Sequence, residues 1–414
     1  MLDEALMASE PEHAPPRGTA SSGLPLVVYV LALGTFLMLT TEFVVAGILP
    51  EIATDLRISL AEAGSLITVF AIGMIIGAPL LTMLTMRLSK RLTLVLALVV
   101  FVVGHIVVAL GSDFVILMAA RFVTALATGA FWAVSAVVAT RAAGPSLGSR
   151  AMGIVGAGGS LATVLGVPVG AFLAQHVGWR GTFWALAIAA VVAVVFVARL
   201  VPRDAPSHEP SLGSELAGLR SLRLWLVLAA CITTCGGVLA TYSFIAPILI
   251  DQDGVSASLV PMVLTGFGVG SFIGTIIGGR LGDAHPHLVT IVTPAMTTII
   301  LLSIGLFSGS AWLTVALVVL LGLFGLSANS VLIHLAVRYA GKAAALGSAL
   351  SVASFNAGTA IGTAIAGASL ATPLGLSGPA MVGTVIVALT LIPTIVLALV
   401  CRRRETRTVV PVER

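Results

Sequence analysis

The sequence predicts an all-α integral membrane protein, with twelve transmembrane helices in two pseudo-symmetric six-helix bundles. Three observations predict it. Of the 414 residues, 58% are hydrophobic and 9% are charged, against about 25% charged in a soluble domain. Twelve apolar runs are each long enough to cross a bilayer as a helix, which takes about 20 residues. One polar connection, 202–223, rich in Pro, Ser and charge, divides the runs six and six. The 44 glycines fit this class, because small residues let membrane helices pack closely.

In chain order, 1–25 is acidic, Pro-containing and polar, without the basic start of a signal peptide. It reads as a disordered cytoplasmic tail. The N-terminal bundle, 26–201, holds predicted helices over 26–49, 60–86, 92–111, 114–139, 150–174 and 181–201. After the cytoplasmic linker, 202–223, the C-terminal bundle, 224–401, holds 224–249, 257–279, 288–308, 311–336, 345–371 and 378–401. A basic cytoplasmic tail, 402–414, closes the chain. With both termini cytoplasmic, the inner side receives eighteen of the twenty-one Lys and Arg residues. Only Arg57 and Arg180 fall outside, and Arg121 lies within a span. This lopsided split supports both the helix count and the orientation. The positive charge therefore concerns orientation and anionic lipid, not nucleic acid. Cys231, Cys235 and Cys401 form no disulfide framework, and nothing points to a metal or a cofactor.

The halves echo each other at offsets close to 197 residues: Leu49-Pro50 with Ala246-Pro247, and Gly166 to Gly170 with Gly358 to Gly367. Repeated halves place a substrate site near the midplane between them.

The charges inside the spans are the candidate chemistry. Glu42 sits in Thr40-Thr41-Glu42-Phe43, near the end of the first run. An acid at a helix centre costs roughly 2.5–3.5 kcal/mol to insert, so it is either partnered or exposed to a water-filled cavity. Arg121 lies in the fourth helix, which runs the opposite way. At 1.5 Å per residue both are roughly 10–12 Å deep, so they are expected to pair or share one cavity. Arginine keeps its proton and glutamate can lose one, which is what proton coupling requires. A permanent structural ion pair is the plain alternative. Leu239 and Val318 hold the matching positions in the second half, so the charge chemistry belongs to the first half alone.

Arg121, Thr124, Thr128 and Trp132 form one stripe, and Glu42 shares a face with Thr35, Met38, Leu39 and Ala46. Met38, Thr128 and Trp132, with Tyr242 and Asn356 from the second half, are the candidate substrate cavity. For Trp132 helix packing is the competing explanation. Gly158, Ala162, Gly166, Gly170 and Ala174 recur every fourth residue, with Pro168 among them. They form either a tight packing strip or a rocking interface. His105 and His334 read as packing or surface residues.

These residues resemble the major facilitator superfamily over about 26–400, specifically its bacterial twelve-helix drug:proton antiporters. Arg121 is similar to the arginine of that family's fourth-helix motif. Gly158, Gly166, Pro168 and Gly170 resemble its fifth-helix antiporter motif. Arg87, Lys90 and Arg91 match the basic part of the first cytoplasmic gate loop, and Gly279, Leu281 and Asp283 its second copy. Leu81 and Thr85 stand where the first copy has Gly and Asp, so that acidic latch is missing. Thr41-Glu42-Phe43 through Pro50, Gly77-Ala78-Pro79 and Gly178-Trp179-Arg180 look most like the actinobacterial chloramphenicol-resistance exporters. The resemblance implies a monomeric proton-coupled exporter in the bacterial cytoplasmic membrane, driven by alternating access. Its partners would be protons, the lipid bilayer and a small amphiphilic drug, with chloramphenicol the leading substrate. An exporter or facilitator of a sugar, nucleoside or other metabolite is the alternative. A membrane enzyme lacks its HExxH, GxSxG or clustered ligands here, and a sensor lacks a cytoplasmic domain.

Overall fold

The computed structural model describes residues 24–84, 88–144, 147–202, 221–307, 309–341 and 344–408. Among them, twelve helices are long and apolar enough to cross a membrane, and there is no strand. The first six are α1 (Leu26–Gly47), α2 (Leu60–Gly77), α3 (Lys90–Leu110), α4 (Phe114–Ala143), α5 (Ala151–Val177) and α6 (Trp179–Leu200). The second six are α7 (Leu222–Tyr242), α8 (Ala257–Gly282), α9 (Pro286–Leu306), α10 (Ala311–Ala340), α11 (Gly347–Ser369) and α12 (Gly375–Cys401). The last helix continues to Thr408. Most of the 202–223 linker lies outside the described residues.

Short polar side chains start several spans. Asp113 Oδ1 accepts from the Ile116 amide at 3.0 Å, and Ser89 Oγ from the Leu92 amide at 3.3 Å. Each satisfies one amide that a helix start leaves without a partner.

Three predicted spans are broken where one helix was expected. α1 stops at Gly47, and a short helix, Leu49–Leu56, follows the kink at Ile48. Pro50 lacks an amide hydrogen and restricts the residue before it, so the helix cannot continue straight. α7 ends at Tyr242, and the chain re-forms as Ile245–Pro247 and a wide π-turn, Ile248–Gln252. α10 comprises Ala311–Gly325 and Asn329–Ala340. α5 carries a π-turn at Ala162–Gly166.

The bundle has a terminal end, where the described chain begins and ends, and a far end. At the far end one buried core spans both halves, from Val44, Ile48 and Val167 to Leu239, Phe244, Leu264 and Ala366. At the terminal end the core divides. One part holds Leu31, Leu98, Phe131 and Val197 of the first half, and the other holds Leu224, Leu228, Leu332 and Leu335 of the second. The halves are therefore sealed together at the far end and packed separately at the terminal end. Thr68 on α2 and Thr363 on α11 share a hydrogen bond of 2.7 Å across the seal. The backbone of α8 at Gly268 sits on Thr163 and Val164 in the π-turn of α5.

Candidate functional site

Arg121 is 2% exposed and has no aqueous escape. Such a charge has to find fixed acceptors. One guanidinium nitrogen, NH1, donates to both the carbonyl oxygen and the hydroxyl of Thr41, each at 3.0 Å. The guanidinium also lies 4.2 Å from the centre of the Phe70 ring on α2, where the ring's negative face attracts a cation. Arg121 Nε and NH2 have no protein partner.

The network runs on into α3. The Thr41 hydroxyl is 2.8 Å from His105 Nε2, and His105 Nδ1 is 2.7 Å from the Phe101 carbonyl. A carbonyl only accepts, so Nδ1 carries a hydrogen. In the neutral ring Nε2 then accepts from the Thr41 hydroxyl, whose oxygen accepts from Arg121. His105 is 2% exposed and stacks on Phe101 at 3.8 Å. It was expected as a packing or surface residue, and it is a hydrogen-bonded member of the site. A lone His in an apolar run, 64 residues from its partner, gave no signal in the sequence.

Glu42 is the next residue along α1. Its side chain makes no hydrogen bond and no ion pair within 4.0 Å among the described residues. It keeps intermediate exposure although Thr41 before it and Val44 after it are buried. Glu42 and Arg121 thus lie at one level, as their depths predict, but Arg121 is anchored to Thr41.

The cavity candidates divide in two. Met38 and Thr128 are buried and bonded to each other, Thr128 Oγ1 donating to Met38 Sδ at 3.3 Å. Trp132 is half-buried, and its ring and Leu39 both stand over Gly159. In the second half Tyr242 stacks on Phe267 at 4.3 Å, and its hydroxyl has no partner. Asn356 is 6% exposed; its amide nitrogen donates to Val352 O at 3.0 Å and its oxygen has no partner. Both side chains thus keep an unmet polar atom among the described residues.

The small-residue strip of α5 lies against α1 of its own half. A side chain at Gly158 would run into Ala32, one at Gly166 into Thr40, and one at Gly170 into Val44. Pro168 is buried beside them. Of the gate residues, Lys90 and Arg91 begin α3 after the Ser89 cap, and Arg87 lies outside the described residues. Gly279 and Leu281 occupy the last turns of a helix that runs to Ala284, so this stretch is helical and not a loop. The side chain of Asp283 is also outside the described residues.

At the far end, Asp55 accepts from Trp179 Nε1 at 3.2 Å and pairs with Arg180, which also donates to Gly111 O at 3.0 Å. The hydrogen bond from Arg180 holds the Asp55 carboxyl below the usual range. Burial pushes the nearby Glu51 carboxyl up, and its Oε2 has no protein partner.

The sequence profile described as Major Facilitator Superfamily matches residues 31–260 and again 228–414. The chain is 32% identical over 373 residues to the "Chloramphenicol resistance protein" of Streptomyces lividans, covering 89% of this chain and 95% of that one. It is 30% identical to the "Inner membrane transport protein YdhP" of Escherichia coli K12, covering 87% and 93%. Among solved structures, a bacterial homologue of the human lysosomal transporter Spinster, inward-facing and unoccupied, superposes with a TM-score of 0.65. That likeness covers 90% of this chain and 95% of the other at 15% identity.

Proposed function

Since the chain belongs to the Major Facilitator Superfamily, we propose that this multi-pass membrane transporter is a proton-coupled exporter of a small amphiphilic drug, with chloramphenicol the leading substrate. Both termini are placed in the cytoplasm of a bacterial cell, following the bias of Lys and Arg. On this reading the far end is the outer end, and the separately packed terminal end faces the cytoplasm.

One observation carries the reading: Glu42 keeps intermediate exposure and has no fixed partner among the described residues, while the neighbouring Arg121 is held by Thr41, whose hydroxyl also meets His105. In this reading Glu42 takes the proton and Arg121 supplies a constant positive field. A neutral drug needs no charge partner, which leaves Glu42 to the proton. Trp132 and Leu39 offer apolar surface, and Tyr242 and Asn356 offer hydrogen bonds from the opposite half. Alternation requires the Thr68–Thr363 bond and the α5–α8 contact to open as the terminal end closes. The Streptomyces relative supports the substrate class.

The test is growth of a drug-sensitive bacterium expressing the chain against an antibiotic panel, with and without Glu42→Gln. Resistance is expected with the native chain, and dissipating the proton gradient should restore drug accumulation. Glu42→Gln should express normally and lose export. Full proton-driven export by that variant would remove Glu42 from the mechanism. No resistance to any compound would favour export or facilitation of a sugar, nucleoside or other metabolite.

A further inference from the structure

Two hollows adjoin at the terminal end of the second half, away from the Glu42 site. The first is a recess of about 640 Å³ among the start of α7, the α8–α9 connection and the ends of α10 and α12. That volume lies within the range of small-molecule sites. Its described lining is basic and aromatic: Arg223, Arg338, His285, His287 and Tyr339, with no carboxylate among the described lining residues. Tyr339 is fixed by its hydroxyl contact with Cys401 Sγ at 3.3 Å, and the Arg223 guanidinium lies 5.7 Å from its ring centre. α9 begins here without a side-chain cap at His285, so the positive end of its dipole opens into the recess.

The second hollow, of about 250 Å³, lies directly membraneward between α8, α9 and the break in α10. Its lining is apolar but for Thr293 and Ser327, and includes Ile277, Leu281, Val292 and Phe324. Leu288 lines both hollows and is 58% exposed, so the two adjoin at its side chain. Ile277 and Leu281, at 48% and 53%, show that the groove faces outward from the bundle, toward lipid.

We propose that this pair of hollows is a binding site for an anionic phospholipid. The phosphate sits between Arg223 and Arg338, and one acyl chain lies past Leu288 against α8 and α9. Guanidinium groups match phosphate oxygens in geometry and charge. A basic pocket between helix ends beside an apolar groove is how membrane proteins hold anionic lipids. A free inorganic anion would use only the recess, and a zwitterionic lipid would gain little from two arginines with no carboxylate among the described lining residues.

The experiment uses the purified full chain in nanodiscs of phosphatidylcholine, with or without phosphatidylglycerol, then released into detergent for native mass spectrometry. The native chain should retain one phosphatidylglycerol in preference to phosphatidylcholine. Arg223→Gln with Arg338→Gln should lower that retention roughly tenfold or more. Should the double variant fail to fold, Leu288→Asp, at an exposed position, should lower it similarly. Millimolar inorganic phosphate should not displace the lipid. Equal retention of the two lipids, unchanged retention in the folded variants, or displacement by phosphate alone would each overturn the assignment.

Discussion

Replacing Thr41 by Val keeps the shape of the side chain and removes one hydroxyl, which serves both Arg121 and His105. His105 Nε2 then becomes a buried acceptor without a donor, at a cost of about 1–3 kcal/mol. Arg121 loses one charge-assisted bond, worth about 1.5–3 kcal/mol, but keeps the Thr41 carbonyl. The two losses share one group and do not add, so the expected destabilisation is roughly 3 kcal/mol. His105→Phe removes the other partner, and the double variant leaves no unpaired ring nitrogen. The double variant should therefore be about 1–2 kcal/mol less destabilised than the sum of the singles. Denaturant unfolding in mixed micelles measures all four proteins. Additivity within about 0.5 kcal/mol would mean that Thr41 and His105 are neighbours without a shared bond, and the network would be refuted.

Glu51→Gln should stabilise the protein at neutral pH. Burial raises the Glu51 carboxyl, so its contribution is present below the ordinary carboxyl value and lost as pH rises through the raised one. The gain in melting temperature should shrink to nothing on acidification below the ordinary value. Gly158→Ala should cost about 1–3 kcal/mol, because the new methyl meets the α1 backbone at Ala32, which cannot swing aside; a melting temperature equal to native would contradict the α1–α5 contact. Thr68→Cys with Thr363→Cys should cross-link at the far end, where the native oxygens are 2.7 Å apart. Transport should stop on oxidation and return with reductant, and transport unaffected by a completed cross-link would argue against opening at this seal.

The twelve spans and the six-and-six division were legible because length and apolarity are all that a bilayer asks of a helix. The kinks after Gly47 and Tyr242 were signalled by Pro50 and Pro247, yet a run of apolar residues read straight through them. The break in α10 had only Gly325 and Asn329 to mark it. Depth placed Glu42 and Arg121 at one level, because opposite helix directions and a fixed rise per residue are simple geometry. It did not find Arg121's partner. A search for opposite charge overlooks a hydroxyl and a carbonyl, which recur throughout a membrane helix. The Thr68–Thr363 bond joins residues 295 apart, and no local pattern announces it.

The consecutive positions of Thr41 and Glu42 explain how one helix serves two purposes. Neighbouring residues on a helix point about 100° apart. Thr41 points into the first half, where α2, α3 and α4 supply Phe70, His105 and Arg121. On the proposed reading Glu42, turned by that angle from Thr41, faces the space between the halves. The anchor is therefore made wholly inside one bundle, and the surroundings of Glu42 are shared by both. Leu239 and Val318, at the positions matching Glu42 and Arg121, are buried apolar residues of the second half. On the proposed cycle, displacement of the second half would change what Glu42 faces while leaving the Arg121 anchor intact. Coupling then needs only one mobile environment around one acid, and the buried arginine never has to give up its acceptors.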